Sequence, residues 1–491
     1  MKKTVSIIGA GIAGMSAAIY LQENGYEVTI YEKNPYAGGF LTGWTRKNQF
    51  IDGCLHWLIG TKEGTRLNKI WKHLGMLEDI DLIKTDSFYK VVFNNETLTF
   101  YQDIEKLENE LLSHSEGDDE LIKEFIEGIK FLGVFETPSE KPFEMCSQME
   151  LMRNMRPYIK LKRFVGVTIE DYADEYHSEI IKFALKHSLV DSKSSVMYLL
   201  QTLSNYCSGN AFIPVGGSRA AADRMINKFK SLGGQIKCAS NVNKIIVDNG
   251  VAKGIEVNGK EIYSDYVISA ADVHFTFEKL LGNTVSFEPY VSADLDKNKF
   301  VTYSLAILSY KTKKDVSKED VDVILKVPTF KVFNKEQEYV SIRHYGYDES
   351  LKTDGYTTIE VLVSTHEDDY EYMKSLSKEE YKTLKDDMGK KYQAILKDYF
   401  KTDDMELIDS LTPLTFERYN NSYKGTFMGY ELGPRMNQLM MGNSVKDVEN
   451  LYLANQWLLL PGGTCIAVTM GKFAAQCILS KDGLGYENLE K

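Results

Sequence analysis

Thr4-Val5-Ser6-Ile7-Ile8-Gly9-Ala10-Gly11-Ile12-Ala13-Gly14 decides the fold of this chain. Residues 4–10 predict a short buried strand, because β-branched residues dominate it. Residues 12–24 predict a helix with Ile12, Met15, Ala18, Ile19 and Leu21 on its apolar face and Gly25 to end it. Residues 27–32, Glu-Val-Thr-Ile-Tyr-Glu, predict a second strand. A strand–helix–strand unit of this length implies a parallel sheet with a right-handed crossover, hence an α/β fold of the Rossmann type.

The turn inside that unit has a ligand-binding pattern. Gly9 permits the tight turn, Gly11 lets the backbone approach a pyrophosphate, and Gly14 lets helix and strand pack closely. The helix N-terminus offers free N–H groups and partial positive charge to phosphates. Glu32 ends the second strand, where a carboxylate accepts hydrogen bonds from a ribose diol and repels a 2′-phosphate. With strand, helix, second strand and acid all present, the turn reads as dinucleotide-binding. Lys33 to Gly39 then place a pair, Gly38-Gly39, just after the acid. A plain dinucleotide domain has no need of it, but glycines there let the chain pass close to a ligand.

Working outward, the chain has 491 residues, enough for two to four structural units. It is 43% hydrophobic and 26% charged, a globular balance that excludes disorder. Its net charge of −12 argues against nucleic-acid partners. Six cysteines show no C-x-x-C pair, and no His/Cys group has metal-ligand spacing, so free thiols and no metal are expected. Glycines interrupt the first apolar run, so no signal sequence forms there, and no apolar stretch is long enough to span a bilayer. A cytoplasmic protein is expected, peripheral on the inner membrane face if it meets a membrane at all.

The nucleotide-binding style returns twice. Pro214-Val215-Gly216-Gly217-Ser218 opens a helix near 219–231, followed by strand patterns at 242–247, 251–257 and 265–269. Residues 449–479 give a strand, a glycine turn and a helix. The expected organisation is a discontinuous cofactor domain (1–64, 211–284 and 441–491) and a mixed α+β substrate domain (65–210 and 285–440). The first substrate segment reads as helix-rich. The second shows alternating strands near 301–310 and 357–364 and a polar helix near 377–398.

Val5–Gly39 and Phe50-Ile51-Asp52-Gly53-Cys54-Leu55-His56-Trp57 resemble the phytoene desaturase, carotenoid isomerase and retinol saturase family of amine-oxidase-like flavoproteins. Ile213–Ser218 is similar to that family's P-x-G-G segment. Gly233-Gly234 to Val242, with Ala270-Ala271-Asp272, resembles its second nucleotide segment. Asn450–Trp457 with Pro461-Gly462-Gly463 resembles its C-terminal flavin motif. The resemblance covers the cofactor domain and little of the substrate domain. It departs from the family at Asn455-Gln456, where Gly-Asp is usual, and at Thr464, where a third glycine is often seen.

The resemblance implies FAD as cofactor, held by Gly9, Gly11, Gly14, Glu32, Lys33, Gly38, Gly39, Val242, Gln456, Gly462 and Gly463. Val242 would meet the adenine through its backbone, and Gln456 would bond the ribityl chain or a phosphate. Gly462 and Gly463 would admit a helix N-terminus to the flavin ring. The implied reaction is hydride transfer at flavin N5 that desaturates, saturates or isomerises a carbon–carbon double bond of an apolar polyene, isoprenoid-like or lipid substrate. A flavin amine oxidase acting on a small or lipid amine, and a non-catalytic lipid carrier of the same fold, are the rival readings.

His56 and Trp57 are the catalytic candidates. They fall where the family brings flavin and substrate together, although a packed structural histidine is the competing reading. Trp44 and Trp57 are expected as wall residues, and Tyr419 and Tyr423 lie in a segment similar to a family region that approaches the flavin. Residues 143–164 interleave Phe143, Met145, Met149, Leu151, Met152, Met155, Ile159, Leu161 and Phe164 with Arg153, Arg156, Lys160, Lys162 and Arg163. That mixture suits an anionic membrane surface or a soluble helix packing its methionines. His366-Glu367-Asp368-Asp369 is expected to be solvated surface.

Overall fold

Thr4–Ile8 (β1), Ile12–Glu23 (α1) and Glu27–Tyr31 (β2) fold as the strand–helix–strand unit. The computed structural model describes residues 2–133, 136, 140–155, 160–188, 191–286, 300–431, 441–487 and 489–490, with side chains left out at 153–155. β1 and β2 pair in parallel, Val5 beside Val28 and Ile7 beside Ile30. Three further strands complete a parallel sheet in the order Gln235–Lys237, β2, β1, Tyr266–Ser269, Leu451–Leu453. Strands from three distant stretches therefore lie side by side. α1 has more than one apolar face: Met15, Ala17, Ala18, Ile19, Tyr20 and Leu21 are all fully buried. The sheet covers one side of it and the helix Thr464–Lys481 another, the expected fate of a helix that is apolar all round.

A second, seven-stranded sheet forms the other layer, and with the parallel sheet it makes the mixed α/β architecture. Its centre is Tyr303–Thr312 (β3), Lys335–His344 (β4) and Thr357–His366 (β5), in the order β3, β5, β4. β3 and β5 are antiparallel, with Ile307 opposite Leu362 and Leu305 opposite Ser364. Side chains alternate between faces along a strand. Ala306, Leu308 and Tyr310 of β3 turn to the helix Lys378–Phe400 (α2), whose Met388, Tyr392 and Leu396 bury against them. Tyr303, Leu305 and Ile307 turn the other way, into a cavity.

The segment read as helix-rich also holds two strands, Ser87–Phe93 and Glu96–Tyr101. They form a hairpin through Asn94, whose φ of +55° suits asparagine, and join the edge of the large sheet by parallel pairing with Asp322–Val332. The flanking charge runs masked their period-two pattern. The helices around them bury a separate core of Phe125, Tyr172, Leu199 and Leu203. Among the described residues, no helix is long and apolar enough to cross a membrane.

The basic–apolar stretch divides. Phe143, Leu161 and Phe164 are core residues, Leu151 packs against the core, and Met149 and Met152 are exposed. Arg163 is paired with Glu124 and Glu175. The side chains of Arg153 and Met155, and residues 156–159 with Arg156 and Ile159, lie outside the described ones. The charge run at 366–369 is also not all surface. Asp369 is 2% exposed, accepts from the His366 N–H at 2.9 Å and pairs with Lys335. It closes the junction between β5 and the helix Glu367–Ser375, a capping role hidden by the acidic composition.

Candidate active site

The glycine loops after β1 and β2 touch each other. The Gly38 N–H donates to the Ala10 carbonyl at 2.9 Å, and Gly11 bridges to Gly38. A Cβ on Gly14 would sit 2.2 Å from the Gly9 carbonyl oxygen, so only glycine lets α1 start this close to β1. Glu32 is buried and locks the two loops together. One of its oxygens accepts from the Ala10 N–H at 2.9 Å and the other from the Asn34 N–H at 2.8 Å. Each oxygen keeps a further lone pair for a ligand hydroxyl.

α1 starts at Gly11, and Thr464–Lys481 (α3) starts at Gly463; neither has a side-chain cap. Their free N–H groups and positive dipole ends open on one cavity of about 440 Å³, bordered by Gly9, Gly11, Gly39, Gly462 and Gly463. Val242 also lines it, from the start of the strand Val242–Asp248.

Two predicted residues, Lys33 and Gln456, also line this cavity, with their polar ends held by neighbouring groups. The Lys33 ammonium donates to the Arg418 carbonyl at 3.0 Å and to Asn421 Oδ1 at 2.6 Å, and burial lowers its pKa. The Gln456 amide donates to the Phe427 carbonyl and accepts from the Gly463 N–H, so it braces the turn before α3. The free donor here is the neighbouring Asn455. Its Oδ1 accepts from the Trp457 N–H, which fixes the amide orientation and leaves a buried Nδ2 without a partner on the cavity wall. An unpartnered donor beside two open helix N-termini fits an anionic, acceptor-rich cofactor.

His56 and Trp57 also line the cavity. Asp52, just before them, is fully buried: its carboxylate accepts from the Ser218 N–H at 2.6 Å, the Ser218 hydroxyl at 2.5 Å and the Cys54 N–H at 3.1 Å. It thereby caps the helix Gly217–Ser231 from another part of the chain, since Gly216 at its N-cap has no side chain to do so. Gly217 is required here, because a Cβ would fall 2.1 Å from Asp52 Oδ2. The two sequence motifs thus form one structural joint beneath His56.

Burial, with the Arg343 charge nearby, holds the His56 imidazole well below its ordinary pKa, so it is neutral at neutral pH. Burial pushes the Cys54 thiol up to about 12, so no thiolate nucleophile operates here. Trp57 packs edge-on against Phe88. Trp44, expected as a wall residue, instead packs on the cluster of Ile307, Leu362 and Phe416 and donates to Asp409 at 2.9 Å. Tyr419 borders the cavity, whereas Tyr423 stacks on His274 with ring centres 3.7 Å apart.

The large sheet supplies a wall that sequence reading missed. Leu305 and Ile307 of β3 and Leu362 of β5 line the cavity together with Phe416 and Phe427. Among them stands Glu360 of β5, which is 1% exposed and accepts from Tyr345 Oη at 2.9 Å and Ser309 Oγ at 3.1 Å. Burial, reinforced by Asp52, pushes its carboxyl up to about 8. Asp191 and Glu431 line another part of the wall, and His366 Nε2 lies 3.0 Å from Asp191 Oδ2. Burial and the adjacent Asp191 raise the Glu431 pKa. The only sequence signal for Glu360 and Tyr303 was the alternation of their strands.

Paired glycine loops, an acid at the end of β2 and two open helix N-termini on one cavity define a FAD-dependent oxidoreductase. The sequence profile of flavin containing amine oxidoreductases matches residues 12–479, and the chain belongs to that family. It is 27% identical over 337 residues to the neurosporene-forming phytoene desaturase of Rhodobacter capsulatus, covering 65% of this chain and 62% of that one. The chain spans only about three-fifths of the length of the desaturases it matches. It is 24% identical over 510 residues to the chloroplastic prolycopene isomerase of Daucus carota, covering 97% of this chain and 80% of that one. A solved oxidoreductase from Methanosarcina mazei shares the fold, with a TM-score of 0.62 and 17% identity over 97% of this chain and 100% of that one.

Proposed function

We propose that the protein desaturates, saturates or isomerises a carbon–carbon double bond in an apolar polyene, isoprenoid-like or other lipid substrate. One observation carries this reading: the apolar wall of Leu305, Ile307, Leu362, Phe416 and Phe427 is continuous with the cofactor cradle. The similarity to desaturases and an isomerase of carotenoids supports it.

In this reading FAD supplies hydride transfer at N5 when bound. Gly9, Gly11, Gly14, Gly38 and Gly39 leave room for its pyrophosphate at the start of α1. Glu32 would hold the ribose diol, the backbone at Val242 would meet the adenine, and Gly462, Gly463 and Asn455 would hold the flavin end. His56, neutral, would take up or return the proton of the carbon next to the one that exchanges hydride, and Trp57 would exclude water beside it. The exposed Met149 and Met152 rest on a lipid surface from which substrate enters.

A second reading, oxidation of an amine, is favoured by Glu360, a buried acid beside the apolar residues of the cavity wall. The deciding experiment supplies the FAD-loaded protein with phytoene, prolycopene or long-chain amines under air. A shift in the polyene absorption spectrum supports the first reading. Hydrogen peroxide formed from amines, with polyenes unchanged, replaces it with the second.

A further inference from the structure

We propose that Asp191, His366 and Glu431 form a divalent-cation site of the zinc type in the wall of the cavity. The three residues come from parts of the chain without any shared spacing. Asp191 follows the helix Glu179–Lys186, His366 ends β5, and Glu431 lies beyond the bridge between Thr302 and Tyr430. One ligand atom from each lies within 4.8 Å of the other two. Ligands at zinc distances in a tetrahedral shell stand roughly 3–4 Å apart, so small side-chain rotations close the set.

Asp191 Oδ1 accepts from the Lys193 N–H at 2.9 Å, which leaves Oδ2 toward His366. Glu431 is 6% exposed, and its Oε1 is buried without a hydrogen-bond partner. His366 Nε2 lies close to Asp191 but meets no partner in hydrogen-bond geometry. Two carboxylates and an imidazole, Glu431 buried and Asp191 and His366 half-buried, have the composition a divalent cation takes.

The scaffold is set before any ion arrives. Asp369 holds the His366 N–H at 2.9 Å, and the Glu431 N–H donates to the Val301 carbonyl at 2.9 Å. Asp191 and Glu431 both face the cavity, so the fourth coordination position points inward. Resting on the reading of this cavity as the substrate site, that position accepts an oxygen (carboxylate, carbonyl or hydroxyl) at the polar end of an otherwise apolar substrate.

The test uses the FAD-loaded protein after dialysis against a chelator. Zn²⁺ is titrated by calorimetry and counted by elemental analysis in the wild type, Asp191→Asn and Glu431→Gln. The expected result is one Zn²⁺ per wild-type chain and an affinity lower by about 100-fold or more in each variant. The visible flavin bands of Glu431→Gln in chelator should match the wild type, which shows that the variant is folded. A wild type that takes up no Zn²⁺, or variants that bind it as tightly, overturns the site. Metal uptake is read without turnover, so a failure of the double-bond chemistry leaves this result standing.

Discussion

The buried Arg343 guanidinium donates to the main-chain oxygen of His56 at 2.7 Å, tying the floor of the large sheet to the catalytic candidate. Arg343 is fully buried and pairs with Asp322 at 2.5 Å. Removing one member of such a pair strands a buried charge, at a cost of about 3–5 kcal/mol. Arg343→Met should therefore lower the urea midpoint sharply. Adding Asp322→Asn should recover part of the loss, because the second charge goes too. A double variant no more stable than the single one would show that Arg343 acts mainly by holding the His56 backbone.

Gly11 separates cofactor binding from folding. Its φ is −72°, which any residue adopts, and a Cβ there meets only the Gly39 Cα, at 4.0 Å. The protein has room for a methyl group, but that methyl would intrude on a pyrophosphate bound at this turn. Gly11→Ala should keep the melting temperature of the FAD-free protein and weaken FAD binding by about tenfold or more, measured by flavin fluorescence. Gly14→Ala, which collides with the Gly9 carbonyl, should lose both.

These contrasts show where the sequence was informative. The cofactor cradle was legible because its parts are local: a turn, a helix start and an acid within one unit of chain. Asp52 and Ser218 were also visible as motifs, but not as partners, because nothing in either segment encodes their contact. The apolar cavity wall was legible only as alternation in β3 and β5; which face is covered by α2 and which is open depends on packing across the molecule. Asp191, His366 and Glu431 were invisible for the same reason, and the expectation of no metal rested on ligand spacing within short stretches.

Glu360 should make stability depend on pH. Below its ordinary value of 4.5 the carboxyl is protonated in both the folded and the unfolded chain. Between there and about 8 the folded protein keeps a proton that the unfolded chain has released. Stability therefore falls as pH rises through this window, by up to about 1.4 kcal/mol per pH unit, and this contribution levels off above it. Glu360→Gln keeps one accepting oxygen, gives the second hydroxyl an N–H donor to accept from, and removes the titration. Denaturant midpoints across the window should fall less steeply with pH in the variant than in the wild type; parallel curves would mean that Glu360 ionises normally.

His56 makes a different prediction, because its charge is suppressed rather than shifted into use. An imidazole held neutral by burial and by Arg343 cannot serve as a cationic acid at neutral pH. It can donate one hydrogen bond and accept another, or pass a proton without resting in the charged state. His56→Gln preserves the hydrogen-bonding reach and removes the proton transfer. If His56 moves a proton, kcat should fall by about 100-fold or more while KM and FAD content change little. If it only positions substrate, Gln should retain most of kcat, and His56→Ala should raise KM. In either case the wild-type kcat/KM profile should show no histidine-like limb through the neutral range, and a limb that Gln removes would mean that the imidazole does become charged.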